Sequence, residues 1–208
     1  LYRELESELS LLDSAFKNFK GRTTGPTAFG VELPAAAVHR GGGLPGGDQL
    51  KLATLTLDRL KTLGVRIVCL NVLYPILTPD FPQTPLYRDF YRRIAGEARQ
   101  RGFLLVVAMG VMPREPDPNA RPESTAGPDR RRLNSDLRKM AETIIADLRP
   151  DYLTVLSEPD TIAQNTQLPF PPEEFAATVR HVVQGLDAGP VKVGAGTGTW
   201  AASDYLKA

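Results

Sequence analysis

The stretch "LTVLSEPDT" (153–161) runs through apolar, strand-forming residues into a carboxylate, and a proline follows at once. Glu158 therefore stands at the mouth of a strand, not inside it. A carboxyl group in a partly apolar mouth can hold a proton and deliver it to a leaving oxygen; a second carboxylate nearby helps to tune it for that task. Other polar or aromatic residues also end apolar runs: Glu32 in "FGVELP", Asn71 and Tyr74 in "VRIVCLNVLYP", Ser157 beside Glu158, and Trp200, the only tryptophan. An indole face stacks on C–H surface while amide, hydroxyl and carboxylate neighbours bond hydroxyl groups, a set that suits a polyol. Each residue also has a plainer reading. Glu158 can be a turn residue, Asp160 or Thr161 the N-cap of a short helix, Asn71 a turn former, and Trp200 a packing residue.

The elements that must position these residues alternate. Strands are predicted over 27–35, 65–73, 103–112 and 151–156, and 191–200 reads as a strand followed by a loop. The runs at 65–73 and 103–112 are apolar throughout, as expected of strands buried on both faces. Helices are predicted over 49–63, 86–101, about 134–148 and 171–186, with a further start at 203. Residues 1–21 form a separate expectation, an amphipathic helix with Leu5, Leu9, Leu12, Phe16 and Phe19 on one face and Gly21 as its stop.

Such alternation implies parallel strands with right-handed crossovers, either an open doubly wound sheet or a (β/α)8 barrel. Polar and glycine-rich residues follow nearly every strand instead of gathering at one switch point, which favours the barrel. Repeats of about 35–45 residues would need roughly 280 residues to close one. Residues 22–208 are thus expected to be the N-terminal portion of a barrel, about five units. A C-terminal barrel segment or a second chain would supply the rest, since unpaired apolar edges are unfavourable.

On these residues the chain resembles the clan A glycoside hydrolases. "LTVLSEPD" corresponds to their fourth strand, which ends in Asn-Glu, usually followed by Pro. The resemblance implies a (β/α)8 barrel acting on a β-linked oligo- or polysaccharide by a retaining two-carboxylate mechanism, with Glu158 as general acid/base. Glu32, Asn71, Tyr74, Ser157 and Trp200 would be sugar contacts. Ser157 stands where the family has Asn. The nucleophile ends strand seven, outside these residues. The resemblance requires no metal or organic cofactor, and it carries an expectation of an extracellular or periplasmic location.

Composition narrows the alternatives. The 208 residues carry 25 basic and 24 acidic side chains, a net charge of +1. No global field draws them to nucleic acid or an anionic membrane. No apolar run is long enough to span a bilayer. His39 and His181 lie in no ligand spacing, so no metal site is expected. Cys69, the single cysteine, lies among Ile67, Val68 and Leu70, which predicts a buried, inert thiol. Gly41, Gly43 and Gly46 fit a dinucleotide fingerprint, but they follow the first strand too late, and Asn71 stands where the ribose carboxylate would be. The arginines of "DRRR" (129–132) read as a solvated loop. Two rival functions remain. One is a barrel enzyme anchoring phosphate on "VKVGAGTGT" (191–199), with Lys192 near the wrong end of its strand. The other is a non-catalytic carbohydrate-binding barrel.

Overall fold

The computed structural model describes residues 27–36, 45–112, 128–198 and 202–207, together with residues 10, 11 and 14. The predicted helix over 1–21 is described only at residues 10, 11 and 14, which are helical; His39, Gly41, Gly43 and Trp200 lie outside the described residues. In chain order the elements are β1 (Gly30–Glu32), a 3-10 turn (Pro34–Ala36), α1 (Gly47–Thr62), β2 (Ile67–Tyr74), α2 (Thr84–Gln100), β3 (Leu104–Val111), α3 (Arg130–Leu148), β4 (Tyr152–Thr154), α4 (Pro159–Thr166), α5 (Pro172–Val183), β5 (Lys192–Gly194) and α6 (Ala202–Lys207). The five strands form one sheet in the order β1-β2-β3-β4-β5, every pair parallel. Sequential order without a switch point is the barrel connectivity.

The central pair explains the architecture. β2 and β3 stay in register from Ile67–Leu104 to Tyr74–Val111. Val68, Leu70 and Val72 on β2 are fully buried, and so are Leu105, Val107 and Met109 on β3. They face the helices. The alternate residues Ile67, Cys69 and Asn71 are half-buried, and Leu104 is 38% exposed. This corrects the expectation of strands buried on both faces. The second face is mostly apolar, as suits a barrel interior, and the described residues leave it partly open.

Helices close the outer face with regular stripes. On α2, Tyr87, Phe90, Tyr91, Ile94, Ala95 and Ala98 are buried; on α3, Leu133, Leu137, Met140, Ala141, Ile144 and Leu148. These steps of three and four are one face of a helix. Tyr91 Oη donates to the Ala36 carbonyl at 3.1 Å and to that of Asn71 at 3.4 Å, joining the turn after β1 to β2. Burial pushes its phenol far above the ordinary value.

The start of α3 differs from expectation. It begins at Arg130, not at about 134, because the Asp129 carboxylate accepts from the Arg132 N–H at 2.8 Å and caps the first turn. The basic cluster is spent locally. Arg130 lies over the Phe170 ring and pairs with Glu174 at 3.3 Å; Arg132 pairs with Asp80 and Asp136.

α2 and α3 are locked by one acidic side chain. Asp147, 6% exposed, accepts from Arg88 at 2.6 and 3.1 Å and from Arg92 at 2.5 Å. Burial alone would raise its carboxyl, but the two arginines outweigh that and hold it below the ordinary value. A carboxylate held low stabilises the fold above the unfolded-chain value of about 3.9 and loses that contribution as pH falls through the lower folded value. Asp147→Asn is therefore expected to cost about 1–2 kcal/mol at neutral pH, the arginine heads being half exposed. Its acid destabilisation below about pH 4 should be shallower than that of the parent. Urea midpoints at neutral and acid pH check both.

Candidate active site

The C-terminal ends of β2, β3 and β4 form a cleft of about 150 Å³. Asn71 of β2, Ala108 and Gly110 of β3, Ser157 and Glu158 after β4, and Thr161, Ile162 and Asn165 of α4 line it. The volume is below the few hundred Å³ of an ordinary ligand pocket. The cleft is a wall built from one side of a barrel mouth. Asn71 joins it because its position alternates with the helix-facing Leu70 and Val72. It lies within β2, three residues before the end, so turn formation does not account for it.

Glu158 occupies the N-cap position of α4, with no side-chain bond to the helix backbone. Its carboxylate Oε2 accepts instead from the Thr161 hydroxyl at 2.9 Å. Pro159 supplies the first residue of α4, where a missing N–H costs nothing. The short helix suggested by Asp160 and Thr161 exists, and Glu158, rather than either of them, stands at its cap. The carboxylate is exposed and sits beside the positive end of α4.

The glycine-rich stretch after β5 turns out to serve this site. It runs on beside the end of β4: Gly196 N donates to the Leu156 carbonyl at 2.8 Å and Gly198 N to that of Ser157 at 2.7 Å. A Cβ on Gly196 would lie 3.2 Å from Ser157 Cα and Cβ; one on Gly198 would lie 3.3 Å from Glu158 Cγ. The glycines are there because a backbone must pass close to Ser157 and Glu158. Two of the N–H groups on which a phosphate site would draw already have carbonyl partners. Lys192 opens β5 at the opposite end, its ammonium 5.1 Å from the centre of the Tyr152 ring.

The remaining sequence candidates are placed apart from the cleft wall. Tyr74 ends β2 but shares the helix-facing alternation of Leu70 and Val72, so its hydroxyl reaches Asp136 of α3 at 3.4 Å. Burial first, and the Asp136 charge next, push its phenol above the ordinary value. Glu32 ends β1 in register with Cys69, on the open inner face, exposed and one inward-facing position below the row of Asn71. Cys69 is half-buried, and burial, with Glu32 adding to it, raises its thiol, which keeps it protonated and unreactive. Sequence reasoning did not select Thr161 or Asn165 as cleft residues. A four-residue step from Thr161 to Asn165 inside "PDTIAQNT" was the available signal. Asn165 Nδ2 donates to the Val111 carbonyl at 2.8 Å, which fixes α4 against the end of β3. Among the described residues no group of acidic, histidine or cysteine side chains could hold a metal ion.

No family model matches the sequence, and no curated protein matches it either. Solved structures do. A variant of the GH5_18 enzyme from Bifidobacterium longum subsp. longum, in complex with Manb1-4GlcNAc, superposes with a TM-score of 0.59 at 15% identity, over 86% of this chain and 46% of that one. The virulence factor SghA from Agrobacterium tumefaciens, with its substrate analog salicin, gives 0.51 at 16% identity over 81% and 46%. GH5_18 from Streptomyces cattleya, in complex with GlcNAc, gives 0.51 at 20% identity over 78% and 42%. The chain shares part of the (β/α)8-barrel fold of these structures. It spans about half the length of these barrel structures. Among the described residues no helix is long and apolar enough to cross a membrane.

Proposed function

We propose that the chain is the acid/base half of a retaining glycoside hydrolase acting on β-linked sugars. The observation that carries the reading is the place of Glu158. It follows the fourth strand of a sequentially ordered parallel sheet, in a cleft at the strand C-termini, where barrel enzymes do their chemistry. In this reading the Glu158 proton passes to the glycosidic oxygen as the C–O bond breaks, and the electron pair stays with the leaving oxygen. The resulting carboxylate then takes a proton from the attacking water. The nucleophile stands about 5–5.5 Å from Glu158 on a later strand outside these residues, which retention of configuration requires. Asn71 and Ser157 bind sugar hydroxyls from the cleft wall, and Trp200 supplies a stacking face. Glu32 sits deeper on the inner face as a polar floor. Tyr74 serves by tying the end of β2 to α3.

The neighbouring structures support a β-linked carbohydrate as the substrate class, since they carry Manb1-4GlcNAc and salicin. The test uses the protein with its barrel closed, by whatever residues or second chain complete it; intact mass by denaturing mass spectrometry identifies those residues. Aryl β-glycosides should be hydrolysed, and proton NMR should show the β-anomer as the first sugar product. Release of the α-anomer would mean inversion, and no hydrolysis would leave a carbohydrate-binding barrel.

A further inference from the structure

We infer that Thr161 is a positioning residue that assigns the catalytic proton to one oxygen of Glu158; this rests on the reading of Glu158 as acid/base. A carboxylic acid that protonates a leaving group must carry its proton on the oxygen that faces the substrate. Nothing in a free carboxyl group enforces that choice. Here two neighbours fix the group. The Thr161 hydroxyl meets Oε2 at 2.9 Å, and Gly198 packs so close that any Cβ there would lie 3.3 Å from Cγ. The hydroxyl engages Oε2 alone and leaves Oε1 as the oxygen on which a proton can be carried to the substrate.

A hydroxyl that donates to Oε2 satisfies that oxygen as an acceptor and opposes a proton there. The proton then resides on Oε1. In the acid step it moves from Oε1 to the glycosidic oxygen, and Glu158 becomes a carboxylate whose Oε2 is still held. In the second step water returns a proton to Oε1. Thr161 touches no reacting atom; it acts through Glu158. The spacing is suited to the role. Glu158 is at the cap of α4 and Thr161 is three residues on, one turn along the same helix. The bond is therefore local, and its geometry is fixed by the helix rather than by a loop.

Thr161 is exposed on a helix whose buried residues are Pro159, Ile162 and Thr166, so its replacement leaves the packing in place. The experiment measures kcat/KM for Thr161→Val, Thr161→Ser and Glu158→Gln in the closed-barrel protein. Two aryl β-glycosides are compared, one with a phenol leaving group, which needs protonation, and one with a dinitrophenol leaving group, which does not. Thr161→Val is expected to lose about tenfold on the phenyl substrate, the worth of a charge-assisted hydrogen bond. It should lose less than about twofold on the dinitrophenyl substrate, and Thr161→Ser should restore the phenyl rate. Equal losses on both substrates, or a serine variant as poor as valine, would overturn the positioning role. Glu158→Gln separates this failure from that of the underlying reading. If it is selectively impaired on the phenyl substrate while Thr161→Val is not, only the Thr161 assignment falls. If Glu158→Gln matches the parent on both, both fall.

Discussion

Glu158→Gln is expected to lower kcat/KM toward glycosides with unactivated leaving groups by about a hundred- to ten-thousand-fold, the usual contribution of a general acid. The substitution is chosen to remove the proton and little else. Glutamine has the same shape, and its amide oxygen can still accept from the Thr161 hydroxyl that now meets Oε2. Glu158 is exposed and makes no cap bond to α4, so the fold does not depend on its charge. Thermal unfolding of the variant should match the parent within about 0.5 kcal/mol, as for other surface changes. The two measurements together are the discriminating result. A large loss of rate with an unchanged melting curve assigns the chemistry to this carboxyl group. An unchanged rate would make Glu158 the turn residue that its sequence position also permits. A loss of both would indicate that the clasp formed with Gly198 and Thr161 is structural.

The barrel connectivity was legible because it is written in periodicity. The apolar runs around Val68 and Val107 and the helical stripes on either side of them specify strands and covering helices almost without tertiary information. Boundaries were less legible where a local bond decides them. The first turn of α3 depends on Asp129, which sits in a run of arginines that reads as loop. The side on which a residue points was legible only as alternation. Tyr74 and Asn71 both lie near the end of β2, yet three residues is an odd step along a strand and puts them on opposite faces. The least legible feature was the purpose of "GAGTG". Glycine-rich turns after strands serve phosphate sites often enough to raise that reading. What these glycines permit, a backbone passing within contact of Ser157 and Glu158, depends on two segments about forty residues apart in sequence. No local pattern carries it.

Leu105→Ala and Leu104→Ala, adjacent positions on β3, are expected to differ by several kcal/mol in this chain. Leu105 is fully buried against the helices, and its truncation should cost about 2–5 kcal/mol, the loss of burial plus the cavity left behind. Leu104 lies on the open inner face at 38% exposure, and its truncation in the same chain should cost about 0.5 kcal/mol or less. The contrast follows from the parity of β3, whose buried and half-exposed residues alternate from Leu104 to Val111. The prediction becomes decisive when the pair is also measured together with any segment or second chain that completes the barrel. Its strands would cover the inner face, and Leu104 would become a core residue of the barrel interior. Leu104→Ala should then cost about 2 kcal/mol or more, approaching Leu105→Ala. Urea denaturation of the two variants in both contexts gives the four numbers. A Leu104 cost that stays small in the longer protein would mean that nothing packs on the inner face. The parallel sheet would then be an open one, and the cleft above it would lack the second wall on which a two-carboxylate mechanism depends. A cost that rises only in the longer protein would place covering strands opposite Glu158, where the proposed mechanism requires a nucleophile.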